Sequence, residues 1–327
     1  MKVFKSLFLV LIVMFTSVFV FACGDKEEEK TPTPDVPATP DAPVQLEKIK
    51  VLLPNGAPLM AIGGLLDSEA FDFEVVNGAD PLSAALLGND YDMIIAPLNL
   101  GAKLSTAGKT KYKIDSLITV NNTYIVSKEK LESAEDLKDI TVLAYGQSST
   151  PDIVLKASNK KFGLNMKLNY EASVNDVMSK LVAGSSDSKY SLMAYPQVTK
   201  IQNALGKDNI NVLDVVSLFG DDIVFPQACL YVNSEKDKDY SAHLKLIEEN
   251  IKLANEKPKD YARVIADKNP FFVGLGETVI AESLPHTNIV YLKAKDNKKA
   301  VNDYVDYLNE YVPNLLQGKT LSDDFYN

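Results

Sequence analysis

Residues 50–62 read KVLLPNGAPLMAI and residues 141–155 read TVLAYGQSSTPDIVL. Each stretch runs from an apolar, strand-like start through a glycine (Gly56, Gly146) and small or polar residues to a proline (Pro58, Pro151) that opens a helical pattern. Proline suits the first helical turn, where its missing N–H is not needed. Such a turn exposes free backbone donors at a helix start, and the helix dipole adds partial positive charge there. The chemistry on offer is recognition of an oxygen, carried by a carboxylate, sulfonate, phosphate or carbonyl. Asn55, Gly56 and Ala57 are the candidates in the first turn; Gln147, Ser148, Ser149 and Thr150, three hydroxyls and an amide, are those in the second. Ser149 or Thr150 can also cap its own helix, a role compatible with ligand contact.

Two further strand ends carry candidates. DMIIAPLNLGAKL (92–104) places Pro97 and Asn99 at a sheet edge, and LMAYPQVTK (192–200) places Tyr195 and Gln197 at another. Tyr145, Tyr195 and Phe225 can stack on a planar ligand or fill the core. The only arginine, Arg263, lies in a helical stretch far along the chain. Bidentate arginine capture of an anion is therefore not expected, and a strongly charged ligand is disfavoured.

Composition removes other chemistries. Two Cys and two His (His243, His286) exclude a zinc finger, an iron–sulfur cluster and a disulfide framework, and leave little for histidine catalysis, so no metal and no cofactor are expected. With 34 basic against 44 acidic residues the net charge is −10, which argues against nucleic-acid binding. There is no G-x-x-x-x-G-K loop, nucleophile elbow or H-E-x-x-H, and Gly274 and Gly276 in VGLGET lack the continuation a dinucleotide site needs. The chain is not expected to be an enzyme.

The turns need a scaffold, and the hydrophobic pattern supplies one. Residues 49–53, 71–76 and 91–96 read as strands alternating with helices at 58–66, 81–87 and 98–107. After an extended stretch at 114–127 the pattern restarts, with strands at 140–144, 167–170 and 190–194 and helices near 151–162, 174–183 and 196–205. Two largely parallel α/β lobes follow, joined by crossings at 120–127 and roughly 226–232. Later the chain is mostly helical, with buried stripes at Leu244, Ile247, Ile251 and Ala254 and at Val301, Tyr304, Val305, Leu308 and Tyr311. His243 falls off the first stripe and is expected in solvent, His286 in a loop, and Cys229 buried and inert.

Residues 1–22 combine Lys2 and Lys5 with an apolar run shorter than the ~20 residues a spanning helix needs, which reads as a secretory signal. Ala22 and Cys23 resemble the lipobox of bacterial lipoproteins, which implies acylation of Cys23 and membrane anchoring outside the cytoplasm. Residues 23–46, with Pro32, Pro34, Pro37, Pro40 and Pro43, read as an extended tether.

Taken with that signal, the stretches LPNGAPLMAIGGLL, YDMIIAPLNLGAKL, YIVSKEKLESAEDLKDITVLAYGQSSTPDIVLK and LMAYPQVTK with FPQACLYV resemble the solute-binding lipoproteins of ABC importers. They are most similar to the group taking up alkanesulfonates, taurine, nitrate and pyrimidine precursors of thiamine. The resemblance implies an α/β, two-lobe type II periplasmic-binding-protein fold with two hinge crossings, the first lobe from 47–122 and 228–327 and the second from 123–227. It implies a monomer that binds a small solute and hands it to a permease and its ATPase. By position it places ligand loops on Asn55, Gly56 and Ala57, on Pro97 and Asn99, on Gln147 to Thr150, and on Tyr195 and Gln197. Asn122 and Thr123 fall in the first crossing, and Phe225 and Gln227 just before the second. Two other readings stay open: an enzyme on the same fold, like those of the futalosine route to menaquinone, and a surface sensing or adhesion lipoprotein.

Overall fold

In a computed structural model, which describes residues 46–220 and 223–327, the first apolar run is strand β1 (Ile49–Pro54), followed by α1 (Ala57–Ile62), β2 (Phe71–Val76), α2 (Ala79–Leu87), β3 (Met93–Pro97), α3 (Leu98–Thr106) and β4 (Tyr112–Val120). The chain then builds β5 (Tyr124–Ser127), β6 (Thr141–Ala144), α4 (Thr150–Phe162), β7 (Lys167–Tyr170), α5 (Val174–Ala183), β8 (Tyr190–Met193), α6 (Gln197–Leu205) and β9 (Asn211–Asp214). It returns through β10 (Pro226–Asn233), α7 (Ser241–Glu256), α8 (Pro258–Ile265), α9 (Pro270–Leu275), α10 (Glu277–Ser283), β11 (Ile289–Lys293) and α11 (Lys298–Tyr311). The signal, Cys23 and all of the tether except Leu46 lie outside the described residues.

Two sheets result. The first has six strands in the order β11-β4-β10-β3-β1-β2, and the second has five, β7-β6-β8-β5-β9. Only β2-β1-β3 and β7-β6-β8 are parallel; β10, β4, β11, β5 and β9 join through antiparallel pairings. The expectation of largely parallel sheets is corrected accordingly. Short βαβ units impose the parallel half of each sheet, while strands arriving from distant parts of the chain enter the other half in the opposite sense.

The crossings also differ from expectation. The extended run 114–127 is two strands of different sheets, broken where Asn121 takes a left-handed φ of 49°. Residues 226–232 lie within β10, a strand of the first sheet, so the return crossing precedes Pro226.

Each sheet is covered on both faces. Leu53, Ile95 and Leu230 meet Met60, Ile247, Tyr261 and Phe272 of α1, α7, α8 and α9. The opposite face of the first sheet packs with α3 and α11, and its core runs on into Val142, Ile153 and Leu192 of the second lobe. A third cluster, Val126, Leu143, Leu181 and Val198, lies beneath α5 and α6. Cys229 is fully buried and has no disulfide partner among the described residues, and burial pushes its thiol well above the usual range. His243 is buried rather than solvated, with Nε2 2.8 Å from the Glu47 carbonyl oxygen and its ring edge-on to Phe71. The expected stripe of α7 is present, with Ile247, Ile251 and Ala254 buried and Leu244 half-buried against the same core, but it is wider than expected and takes in His243 and Asn250.

Candidate functional site

The first wall is built at the carboxyl ends of β1 and β3. Gly56 adopts φ 100° and ψ −149°, a conformation open in practice only to glycine, and this lets the chain turn from β1 into α1. Asn55 Nδ2 donates to Asn77 Oδ1 at 2.8 Å, while Asn55 Oδ1 is buried without a partner. At the end of β3, Asn99 is 3% exposed; its Nδ2 donates to the Ser148 carbonyl at 3.2 Å across the gap between lobes, and its Oδ1 has no partner.

The facing wall begins after β6. Gly146 and Ser148 both take left-handed backbone angles, and the turn closes with the Ser149 amide donating to the Gly146 carbonyl at 2.8 Å. The Ser148 amide donates to Asp152 Oδ2 at 2.7 Å. Asp152, fully buried in the first turn of α4, also accepts from Tyr170 OH at 2.6 Å and from Lys156 Nζ at 2.7 Å. Two of the backbone donors expected to meet a ligand are therefore used by the turn itself. The Ser149 and Thr150 hydroxyls are not: both are buried and unpartnered, the Tyr304 phenol facing Thr150 outside hydrogen-bond geometry. Ser149 occupies the cap position of α4 without a side-chain capping bond. A buried hydroxyl left without a partner is costly, and a ligand atom would relieve that cost.

Between the walls the crossings are fastened by two asparagines and a glutamine. Asn121 Oδ1 accepts from the Phe225 amide at 2.7 Å and its Nδ2 donates to the Ile223 carbonyl at 2.8 Å. Asn122 mimics a strand partner for Tyr195: Oδ1 accepts from its amide at 2.8 Å and Nδ2 donates to its carbonyl at 3.0 Å. Gln227 Oε1 accepts from the Asn122 amide at 3.0 Å, and its Nε2 donates to the Asn122 carbonyl and to Thr123 Oγ1, both at 2.9 Å.

These elements enclose a cavity of about 540 Å³ at the carboxyl ends of β1, β2, β3, β6 and β8. In open α/β sheets this is where ligands bind. Of the sequence candidates, Asn55, Gly56, Ala57, Pro97, Asn122, Ser149, Thr150, Tyr195, Gln197 and Gln227 line it. Asn122 and Gln227 reach it with their side-chain amides already engaged in the crossings. The structure does not bring the other five to the cavity wall. Asn99 and Thr123 are buried beside it, Gln147 and Ser148 are exposed outside it, and Phe225 packs against Phe219, Tyr304 and Tyr307 with ring centroids 5.0–5.8 Å apart. Tyr145 also lines the cavity, and burial pushes its phenol up to about 12, so it is a neutral donor or acceptor. Tyr195 stacks on His286 at 5.0 Å, its phenol raised first by burial and then by Asp214.

Sequence reading missed Asn77, Thr119, Asn175, Lys200 and the α9 residues Pro270, Phe271, Gly274 and Leu275, all on the cavity. Asn77 follows the end of β2 much as Pro97 closes β3, a signal open to reading. α9 carried none, because PFFVGL is indistinguishable from core until the fold brings it to the cavity. No Asp, Glu, Arg, His or Cys lines the cavity among the described residues. Among the described residues no group of His, Cys, Asp and Glu could hold a metal ion, and no helix is long and apolar enough to cross a membrane.

No protein-family model and no curated protein matches the sequence. Solved structures do. An ABC transporter from Parabacteroides distasonis superposes with a TM-score of 0.72 at 20% identity, over 85% of this chain and 98% of that one. The periplasmic aliphatic sulphonate-binding protein SsuA of Escherichia coli gives 0.65 at 14% identity, over 86% and 92% of the two chains. The alkanesulfonate-binding protein SsuA of Xanthomonas axonopodis pv. citri, bound to MOPS, gives 0.61 at 14%, over 86% and 98%. The fold is thus the two-lobe α/β fold of periplasmic binding proteins, and its structural neighbours include solute-binding proteins of ABC importers.

Proposed function

We propose that this chain is an extracytoplasmic solute-binding protein of an ABC importer, held at the bacterial cell membrane through an acylated Cys23. It captures a small organic solute between its lobes and delivers it to the permease and its ATPase. The first lobe comprises 47–122 and, since β10 of its sheet starts at Pro226, 226–327; the second comprises 123–225. The observation that carries this reading is the cavity itself. It lies between the strand ends of two separate sheets, is flanked by the unpartnered Asn55 Oδ1, Ser149 Oγ and Thr150 Oγ1, and adjoins the two crossings about which the lobes can move.

Bond-making chemistry is poorly served there, since the lining offers no carboxylate, imidazole or thiol. Sulfonate-like and thiamine-precursor-pyrimidine-like solutes both suit the reading: the first through hydroxyl and amide donors, the second through those groups with Tyr145 and Tyr195. Small-angle scattering with and without a bound solute tests it. The radius of gyration is expected to fall on binding; an unchanged profile at saturating solute would point instead to a sensing or adhesion role without closure.

A further inference from the structure

The cavity has a polarity that solute capture alone does not require. Lys200 lies in α6, four residues past the Pro196 cap, half-buried and on the cavity wall. Its ammonium makes no ion pair or hydrogen bond within the described residues, whereas Lys156, Lys180, Lys238, Lys268 and Lys293 all reach a carboxylate. An ammonium left unpaired in a recess without carboxylates favours an anionic guest, because the partial loss of water strengthens the attraction that a fully solvated pair would lack.

The rest of the wall is largely apolar. Asn269 accepts from the Phe271 amide at 2.9 Å and starts α9 with its side chain; Phe272 is fully buried in the core, and its neighbour Phe271, about 100° around the helix, faces the cavity with Leu275. Val174 and Ala194 extend this surface from the second lobe. A volume of about 540 Å³ is that of a site for a molecule with a substantial body. An ion the size of nitrate, or a two-carbon acid, would leave the apolar wall wet.

We propose that the solute is an organic acid bearing an apolar body of aromatic size. Its negative charge meets Lys200, and its body lies on Phe271 and Leu275. This deepens the capture reading and rests on it.

The test is calorimetric titration of the whole chain with phenylbutyrate, benzenesulfonate and decanoate, each beside its uncharged amide, and with acetate, taurine and an aminopyrimidine. At least one of the large acids is expected to bind about tenfold or more tightly than both its amide and acetate. Lys200→Gln should erase the preference for acid over amide. Phe271→Ala should weaken the large acid while keeping that preference; Leu275→Ala serves the same purpose if Phe271→Ala lowers the melting temperature. Amides binding as well as acids, acetate or taurine binding as well as the large acids, an unaffected Lys200→Gln, or no large acid binding at all would each overturn the proposal. If the aminopyrimidine binds and the chain compacts, capture stands and the acid does not. If no molecule binds and none accompanies the purified protein, capture itself fails.

Discussion

Ser149 and Thr150 show how a residue's surroundings decide its role. Four neighbouring positions, Gln147 to Thr150, share the polar chemistry that suits an oxygen ligand, yet backbone geometry divides them. Ser148 takes φ 68° and donates its amide to Asp152, which turns its side chain outward, while the next two hydroxyls remain buried and unpartnered. Replacing Ser149 and Thr150 together by Ala is expected to weaken solute affinity about fivefold or more, since each lost polar contact contributes about 0.5–1.5 kcal/mol. Ser148→Ala should change affinity less than twofold. Calorimetry on the two variants separates these outcomes, and equal losses would move the contact away from Ser149 and Thr150. The residue types of this turn could be read in the sequence. Which of them face the cavity could not, because that depends on Asp152 holding the turn from inside α4.

At the scale of elements, the strand–helix alternation from 49 to 106 and from 141 to 205 was legible because each strand is a short apolar run and each helix repeats at three and four. Strand direction was not, since β10 reaches its place between β3 and β4 through pairings more than a hundred residues apart in sequence. Nor was the break between β4 and β5, which rests on one backbone angle at Asn121. The burial of His243 was not legible either, because the buried face of α7 is wider than its apolar stripe and takes in His243 and Asn250 beside Ile247, Ile251 and Ala254.

The crossings depend on side chains standing in for strand partners. Asn122→Ala strands the Tyr195 amide and carbonyl, and is expected to destabilise the fold by about 1–3 kcal/mol in denaturant titration. A change under a few tenths would show that water replaces the asparagine there.

Asp92 makes the start of β1 and the segment after β10 sensitive to acid. Burial alone would raise its carboxyl, but hydrogen bonds from the Lys50 amide (2.8 Å) and the Tyr240 phenol (3.0 Å), together with Lys238 and Lys236, outweigh burial and hold it below the usual range. A depressed folded-state value means that the stabilisation is present above the unfolded value near pH ~3.9 and is lost as pH falls through the folded one. The melting temperature should therefore drop below about pH 4. Asp92→Asn should lower it at neutral pH and flatten that acid limb. A variant whose acid limb keeps the parent's slope would mean that other carboxylates govern it.

For the whole molecule, the two sheets border one recess at their strand ends, and the same fold is found in solute-binding proteins of ABC importers at 20% identity or less. The architecture tolerates that divergence because capture asks only for facing turns, crossings and a recess. The guest's identity rests on the few side chains of the lining. Native mass spectrometry of the protein as purified reaches this point most directly. A bound small organic molecule should appear as a discrete adduct on the folded chain and be reduced in the Ser149→Ala, Thr150→Ala double variant. A chain that stays bare across growth conditions, or an adduct undiminished in that variant, would contradict capture in this recess.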